Sequence, residues 1–165
     1  MKTLTAALAA GVLLASFPTA SAQAGQHSFS VHATDIGGAI FMTGGGSYDP
    51  QSGSLRGGGG FRCTSDITAG PLAGLKAGEG THWDASELLP SSGFKCDGAD
   101  PLKTALTDDD TVVMNVRFFR QGDGATPSFT AKVFVSAVDE NPDQPGIQNV
   151  WIQNVGCADA RTNVH

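Results

Sequence analysis

The segment Gly44-Gly45-Gly46-Ser47-Tyr48-Asp49-Pro50-Gln51-Ser52-Gly53-Ser54-Leu55-Arg56-Gly57-Gly58-Gly59-Gly60-Phe61 constrains the fold more than any other stretch of the chain. Two glycine runs flank an Asp-Pro and a Ser-Gly step, which supply the preset φ and the tolerance of positive φ that a chain reversal needs. The segment therefore reads as a β-hairpin. Its register can be tested within the sequence, because directly opposed residues of an antiparallel ladder share a face. Folding about Gln51 and Ser52 opposes Tyr48 to Leu55, Gly46 to Gly57, Gly44 to Gly59, Met42 to Phe61 and Ile40 to Cys63. The other face receives Ser47 with Arg56, Gly45 with Gly58, Thr43 with Gly60 and Phe41 with Arg62. The first set is apolar and the second mostly polar, so the pairing is self-consistent.

Glycine is costly inside strands, so seven in one ribbon imply sharp bending, a bulky neighbour over bare backbone, or a ligand there. In this register Gly44, Gly46, Gly57 and Gly59 face inward and should resist a larger side chain, whereas Gly45 and Gly58 should tolerate one. A phosphate-cradling loop is excluded, because neither a Gly-Lys-Ser/Thr ending nor a helix-like segment follows the run.

Residues 1–24 read as a secretory signal peptide: Lys2, an apolar core from Leu4 to Phe17, then Pro18 and the small-x-small ends Ala20-Ser21-Ala22 and Ala22-Gln23-Ala24. The apolar run is shorter and richer in alanine than a spanning helix requires. The mature chain is expected to begin at Gln23 or Gly25, to be secreted or periplasmic, and to form one domain over residues 25–165.

Cleavage removes Lys2 and leaves nine basic against sixteen acidic side chains. That balance argues against nonspecific binding to nucleic acid or to an anionic membrane, both of which need clustered Lys and Arg. The acids gather in Asp108-Asp109-Asp110 and in Asp139, Glu140 and Asp143, in segments that read as loops and serve solubility. Three isolated cysteines in an exported chain predict one disulfide and one thiol left over. Cys63 with Cys96 is the first choice, since Cys63 ends the hairpin and Cys96 follows the next strand pair. Cys96 with Cys157 is the alternative.

Alternating apolar and polar residues recur along the rest of the chain. Phe29, Val31 and Ala33 alternate with Ser28, Ser30 and His32; Trp83 faces inward from the segment 80–88; a short strand covers 93–96. A loop with room for one helical turn is expected over 97–110. Residues 111–119 carry apolar side chains on both faces and read as a central strand. In the strand over 128–138 Phe134 alone breaks the polar face, and a last strand runs over 146–155. About eight strands, short loops and no helical period describe an all-β, antiparallel barrel, with a sandwich as the alternative. The glycine ladder favours the barrel, whose closure demands strong coiling.

Candidate chemistry is sparse. His82, Asp84 and Glu87 lie close together, and His82 and Asp84 share a strand face, so a proton-transfer pair with His82 or His32 as base is one option. Catalytic serine, zinc and dinucleotide motifs are absent. Asp139-x-Asn141-x-Asp143 begins like a calcium loop, but Gln144 stands at the sixth position, Val150 at the twelfth, and Pro142 interrupts it, so no metal or other cofactor is expected. The pattern G-G-G-S-Y-D-P-x-S-G-x-L-x-G-G-G-G-F, followed by the Trp83 strand, resembles a loose group of small exported bacterial all-β proteins with a glycine-rich hairpin. That resemblance implies the fold and no activity. Gly80-Thr81-His82-Trp83 departs from the Gly-x-Trp of lipocalins by one residue and lies mid-chain, which excludes that family. The leading expectation is a non-catalytic domain that binds a small apolar ligand in the barrel, or a partner protein on its surface, through Tyr48, Trp83 and Trp151. A small secreted hydrolase or isomerase is the alternative.

Overall fold

The computed structural model describes residues 25–165, so the expected signal peptide lies outside the described residues. Eleven strands follow in order: β1 (His27–Ile36), β2 (Ile40–Asp49), β3 (Ser54–Cys63), β4 (His82–Leu89), β5 (Ser91–Phe94), β6 (Lys103–Leu106), β7 (Thr111–Phe119), β8 (Phe129–Ser136), β9 (Val150–Ile152), β10 (Gly156–Ala158) and β11 (Arg161–Val164). Nine form one antiparallel sheet in the order β10-β9-β8-β7-β4-β3-β2-β1-β11, and β5 and β6 form a separate ribbon. The fold is all-β and the large sheet is a half-barrel.

The curvature follows from connectivity. Flat, nine strands at about 4.8 Å spacing would put the end strands roughly 38 Å apart. Those ends, β10 and β11, are joined only by Asp159 and Ala160, a link that reaches roughly 10 Å. The sheet must therefore curl until its ends meet. Side chains and turns fasten the seam. Asn149 donates from Nδ2 to the Ala160 carbonyl (3.0 Å) and to Thr162 Oγ1 (3.1 Å), and its Oδ1 accepts the Ala160 N–H (2.8 Å). The Gly37 N–H donates to the Cys157 carbonyl at 3.1 Å. Gly37 has φ +58°, and a Cβ there would collide with the Val155 carbonyl, so only glycine lets the β1–β2 turn press on this seam.

β2 and β3 pair over ten positions, from Ile40 opposite Cys63 to Asp49 opposite Ser54. These are the pairs that the face argument selects from the sequence. Two large rings cover the inner side of the glycine ladder. Trp83 on β4 stands opposite Gly59 and reaches Gly44; a Cβ on Gly44 would lie 2.8 Å from Trp83 Cζ2. Phe29 on β1 stands opposite Gly46 and reaches Gly57, whose Cβ would lie 2.9 Å from Phe29 Cζ. The missing side chains are thus replaced by an indole and a phenyl ring from the flanking strands.

The expected tolerance of Gly45 and Gly58 is overturned. A Cβ on Gly45 would collide with the Phe29 carbonyl and one on Gly58 would lie 2.9 Å from the Trp83 carbonyl. The cause is backbone approach from both neighbours of this tightly coiled ribbon, so both faces exclude side chains. Gly60 is the open position, its nearest contact being 3.7 Å away.

Two cores lie on opposite sides of the sheet. The main one fills the half-barrel with Val31, Ile36, Ile40, Met42, Tyr48, Trp83, Met114, Phe118 and their neighbours. The second lies outside β7, β8 and β9, beneath the β5–β6 ribbon, and contains Phe94, Ala105, Val113, Phe134 and Trp151. The residues over 97–110, expected as a loop, supply β6, which pairs with β5 from Ser91 opposite Leu106 to Phe94 opposite Lys103. The single strand expected over 146–155 is only the three-residue β9, followed by β10 and β11, whose brevity hides their alternation. In β4 a register shift between Ala85 and Glu87 ends the simple alternation that begins at His82.

Candidate functional site

The three aromatic residues expected to anchor a ligand do not come together. Tyr48 is 1% exposed and donates from its hydroxyl to the Asp108 carbonyl at 2.7 Å. Burial first, then the charges of Asp108, Asp109 and Asp110, push its ionisation well above the ordinary tyrosine range. Trp83 is fully buried and donates from Nε1 to the Thr43 carbonyl at 3.0 Å. Trp151 is 3% exposed, stacks on Phe134 (centroids 5.9 Å, 20°) in the outer core, and donates to the Lys95 carbonyl at 2.9 Å. Each polar atom has an internal partner, as buried aromatics require. Tyr48 and Trp83 on one side of the sheet and Trp151 on the other are packing residues.

The first-choice disulfide, Cys63 with Cys96, is also overturned. Cys63 points into the main core, 1% exposed, whereas Cys96 lies at the outer core, so the sheet separates them. Cys96 is bonded to Cys157, joining the end of β5 to β10, and Cys63 is a free thiol. Burial, then Glu79 and Asp66, raises that thiol to about 11 and makes it unreactive at neutral pH. The bridge is compatible with an oxidising compartment. Among the described residues no helix is long and apolar enough to cross a membrane.

Of the proton-transfer candidates His82, His32 and Glu87 are exposed and Asp84 is half-buried. His82 lies flat on Phe119 (4.3 Å between centroids, 7°), with Nδ1 3.2 Å from Thr81 Oγ1. His32 meets Phe41 edge-on, and Glu87 accepts from Asn115 Nδ2 at 2.6 Å. No carboxylate hydrogen-bonds His82 or His32 among the described residues. In the calcium-like segment Asp139 accepts the N–H groups of Asn141 and Gln148, while Asp143 pairs with Lys103. Those carboxylates hold their own loop and the β5–β6 ribbon, and among the described residues no group of three His, Cys, Asp or Glu is placed to hold a metal ion.

Two arrangements escape the linear reading. Ser28 Oγ lies 3.0 Å from His165 Nε2, and His165 Nδ1 lies 3.2 Å from Asn163 Oδ1, a serine–histidine–amide relay joining residues 137 positions apart on the exposed β1–β11 pair. The second is the outer face of β11, β1, β2, β3 and β4, which no other element covers among the described residues. One row across it reads Asn163, Ser30, Gly45, Gly58, Asp84 and Arg117; the next reads Arg161, His32, Thr43, Gly60, His82 and Phe119. Arg56 and Arg62 lie on the same face of β3, outside these rows. Arg56, Arg62, Arg117 and Arg161 are exposed and make no ion pair among the described residues. The sequence signal for this face was the polar half of the hairpin register, which shows orientation but not which other strands extend it.

Surface clefts accompany these features. One of about 380 Å³ is lined by His32, Thr34, Asp159, Ala160 and Arg161, and one of about 240 Å³ adjoins Cys96 and Asn154. The half-barrel interior is filled by fully buried Trp83, Tyr48, Phe118, Met42 and Met114. Comparison with protein families, with curated proteins and with solved structures finds no match.

Proposed function

We propose that this chain is an exported, non-catalytic β domain that acts by binding a partner on its uncovered outer sheet face. The observation that carries the reading is the condition of Tyr48, Trp83 and Trp151, whose rings are packed and whose polar atoms are all bonded to backbone carbonyls. An apolar ligand inside would have to displace the core that holds the sheet together, whereas the outer face offers its side chains at no such cost. Native mass spectrometry of the protein isolated from its own source should give the mass of the polypeptide alone, beginning at Gln23 or Gly25. A stoichiometric apolar ligand would overturn the surface reading, and an intact Met1 on exported protein would overturn export.

One observation favours a second reading, a small exported hydrolase. Ser28, His165 and Asn163 have the spacing of a nucleophile, its base and an orienting amide. A covalent adduct of a fluorophosphonate probe at Ser28 would support it, and an unlabelled Ser28 would dispose of it.

A further inference from the structure

We propose that the sheet carries a peptide-docking fork between β3 and β4, where an extended segment of a partner protein adds as a further strand. The site is a pair of strand edges, independent of the outer face considered above. β4 pairs with β3 only where Gly58 meets Asp84, Gly59 meets Trp83 and Gly60 meets His82. Past Gly58, β3 runs on to Ser54 still paired with β2; past Asp84, β4 runs on to Leu89 still paired with β7. The register shift between Ala85 and Glu87 parts them, because an extra residue bends the strand that carries it. Residues 54–57 and 85–89 are thus two arms of a fork, and among the described residues no strand lies between them.

The fork is open. A cleft of about 180 Å³ is lined by Pro50 and Gly53 at the hairpin tip and by Leu88, Leu89 and Pro90 at the end of β4. Leu55, Ala85 and Leu88 pack towards the main core yet are only half-buried, whereas Phe61, Trp83 and Met114 on the same inner wall are buried. The wall is incomplete at this point. Main-chain direction follows from the paired part of β3, where the N–H groups of Phe61 and Cys63 donate to the carbonyls of Thr81 and Glu79 at 3.3 and 2.7 Å. Alternate residues of a strand turn their main chain to the same neighbour. Gly57 and Leu55 therefore aim their N–H and C=O groups into the fork, where β4 offers no ladder partner.

That chemistry selects a polypeptide. A row of main-chain donors and acceptors is matched by another extended chain, whereas a sugar or a nucleic acid carries no N–H and C=O groups at strand spacing. The arm from Ser54 to Gly57 is roughly 13 Å long, enough for about four residues of an added strand. Side chains of that strand would alternate. Those turned inward meet Leu55, Ala85 and Leu88 and must be apolar. Those turned outward meet Arg56 and Glu87, one charge of each sign, so charge is not what selects the partner. A second copy of this chain is disfavoured as the occupant by its own net negative charge.

The test is NMR hydrogen exchange of the mature protein, alone and saturated with a peptide of alternating valine and threonine that ends in lysine. In the free protein the Leu55 and Gly57 amides should exchange at least roughly tenfold faster than those of Gly59 and Phe61, and saturation should slow both. The same peptide N-methylated at every second residue, which removes the donors of one edge, should bind at least roughly tenfold more weakly. Arg56→Gln and Glu87→Gln should leave the affinity unchanged. Protection of Leu55 and Gly57 in the free monomer, a peptide that does not bind, equal binding of the N-methylated peptide, or dependence on either charge would overturn the proposal. Chemical-shift changes confined to His32, Arg62 and His82 would overturn the fork and favour the outer face. A dimer that protects Leu55 and Gly57 without peptide would put a second copy in the fork and overturn the partner.

Discussion

The indole nitrogen of Trp83, on β4, donates a 3.0 Å hydrogen bond to the carbonyl of Thr43, two strands away on β2. The bond passes over β3 where Gly59 has no side chain, and it ends beside Gly44, whose φ of +147° is one that L residues rarely adopt. Glycines and tryptophan form one device, in which the bare ladder makes room and the indole fills it. Trp83→Phe should strand the Thr43 carbonyl in the core at a cost of about 1–3 kcal/mol, with the smaller ring's void adding to it. Urea denaturation reads the difference, and an unchanged midpoint would mean that the bond contributes nothing.

The ladder itself predicts a contrast by position. Gly46→Ala and Gly59→Ala place a Cβ into the carbonyls of Arg56 and Thr43 and should cost about 1–3 kcal/mol by overpacking. Gly60→Ala meets nothing closer than 3.7 Å and should stabilise by about 0.4–1 kcal/mol through the unfolded chain. Equal midpoints for the three variants would refute the backbone crowding described for this ribbon.

Non-reducing peptide mapping should recover Cys96 linked to Cys157, with Cys63 alkylated only after unfolding. The bridge spans 61 residues, so removing both its cysteines by Cys96→Ala and Cys157→Ala should cost about 4 kcal/mol on the chain-entropy model. A linked Cys63 peptide would contradict the separation of the two cores.

Stability should fall at alkaline pH. Burial raises the Cys63 thiol from 9.0 to about 11 and raises Tyr48 further still. Above pH 9 the unfolded chain releases the Cys63 proton while the folded chain keeps it, so the unfolded state binds fewer protons and unfolding becomes easier as pH rises towards 11. Below pH 9 both states hold the proton and this contribution is complete. Cys63→Ala should flatten the decline between pH 9 and 11, and Tyr48→Phe should flatten it at higher pH. A wild-type melting profile level across this range would sink the linkage.

Much of the half-barrel was legible in the sequence because its long strands alternate. β1, the β2–β3 hairpin, β7 and β8 each carry enough period-2 pattern to reveal their faces. Val113 and Phe134 illustrate the limit. The sequence marks Phe134 as the exception on a polar face and Val113 as part of a strand apolar on both faces, without saying that the two stand opposite one another or that β5 and β6 cover them. The candidate surface was half legible: Arg56 and Arg62 share a hairpin face by simple alternation, but Arg117 and Arg161 join them only through pairings across the sheet.

By itself, the sequence determined the local geometry: which residues extend, which turn, and which side of the hairpin is apolar. Those choices depend on neighbours a few positions away and on the two-residue repeat of a strand. The tertiary structure decided what depends on distant residues meeting: the second core, the partner of Cys96, and the seam at Asn149. It also decided the fate of the three aromatics. A tyrosine or tryptophan in a strand looks alike whether it packs inside or waits for a ligand, and only the carbonyls of Asp108, Thr43 and Lys95, brought within 3.0 Å by the fold, separate the two.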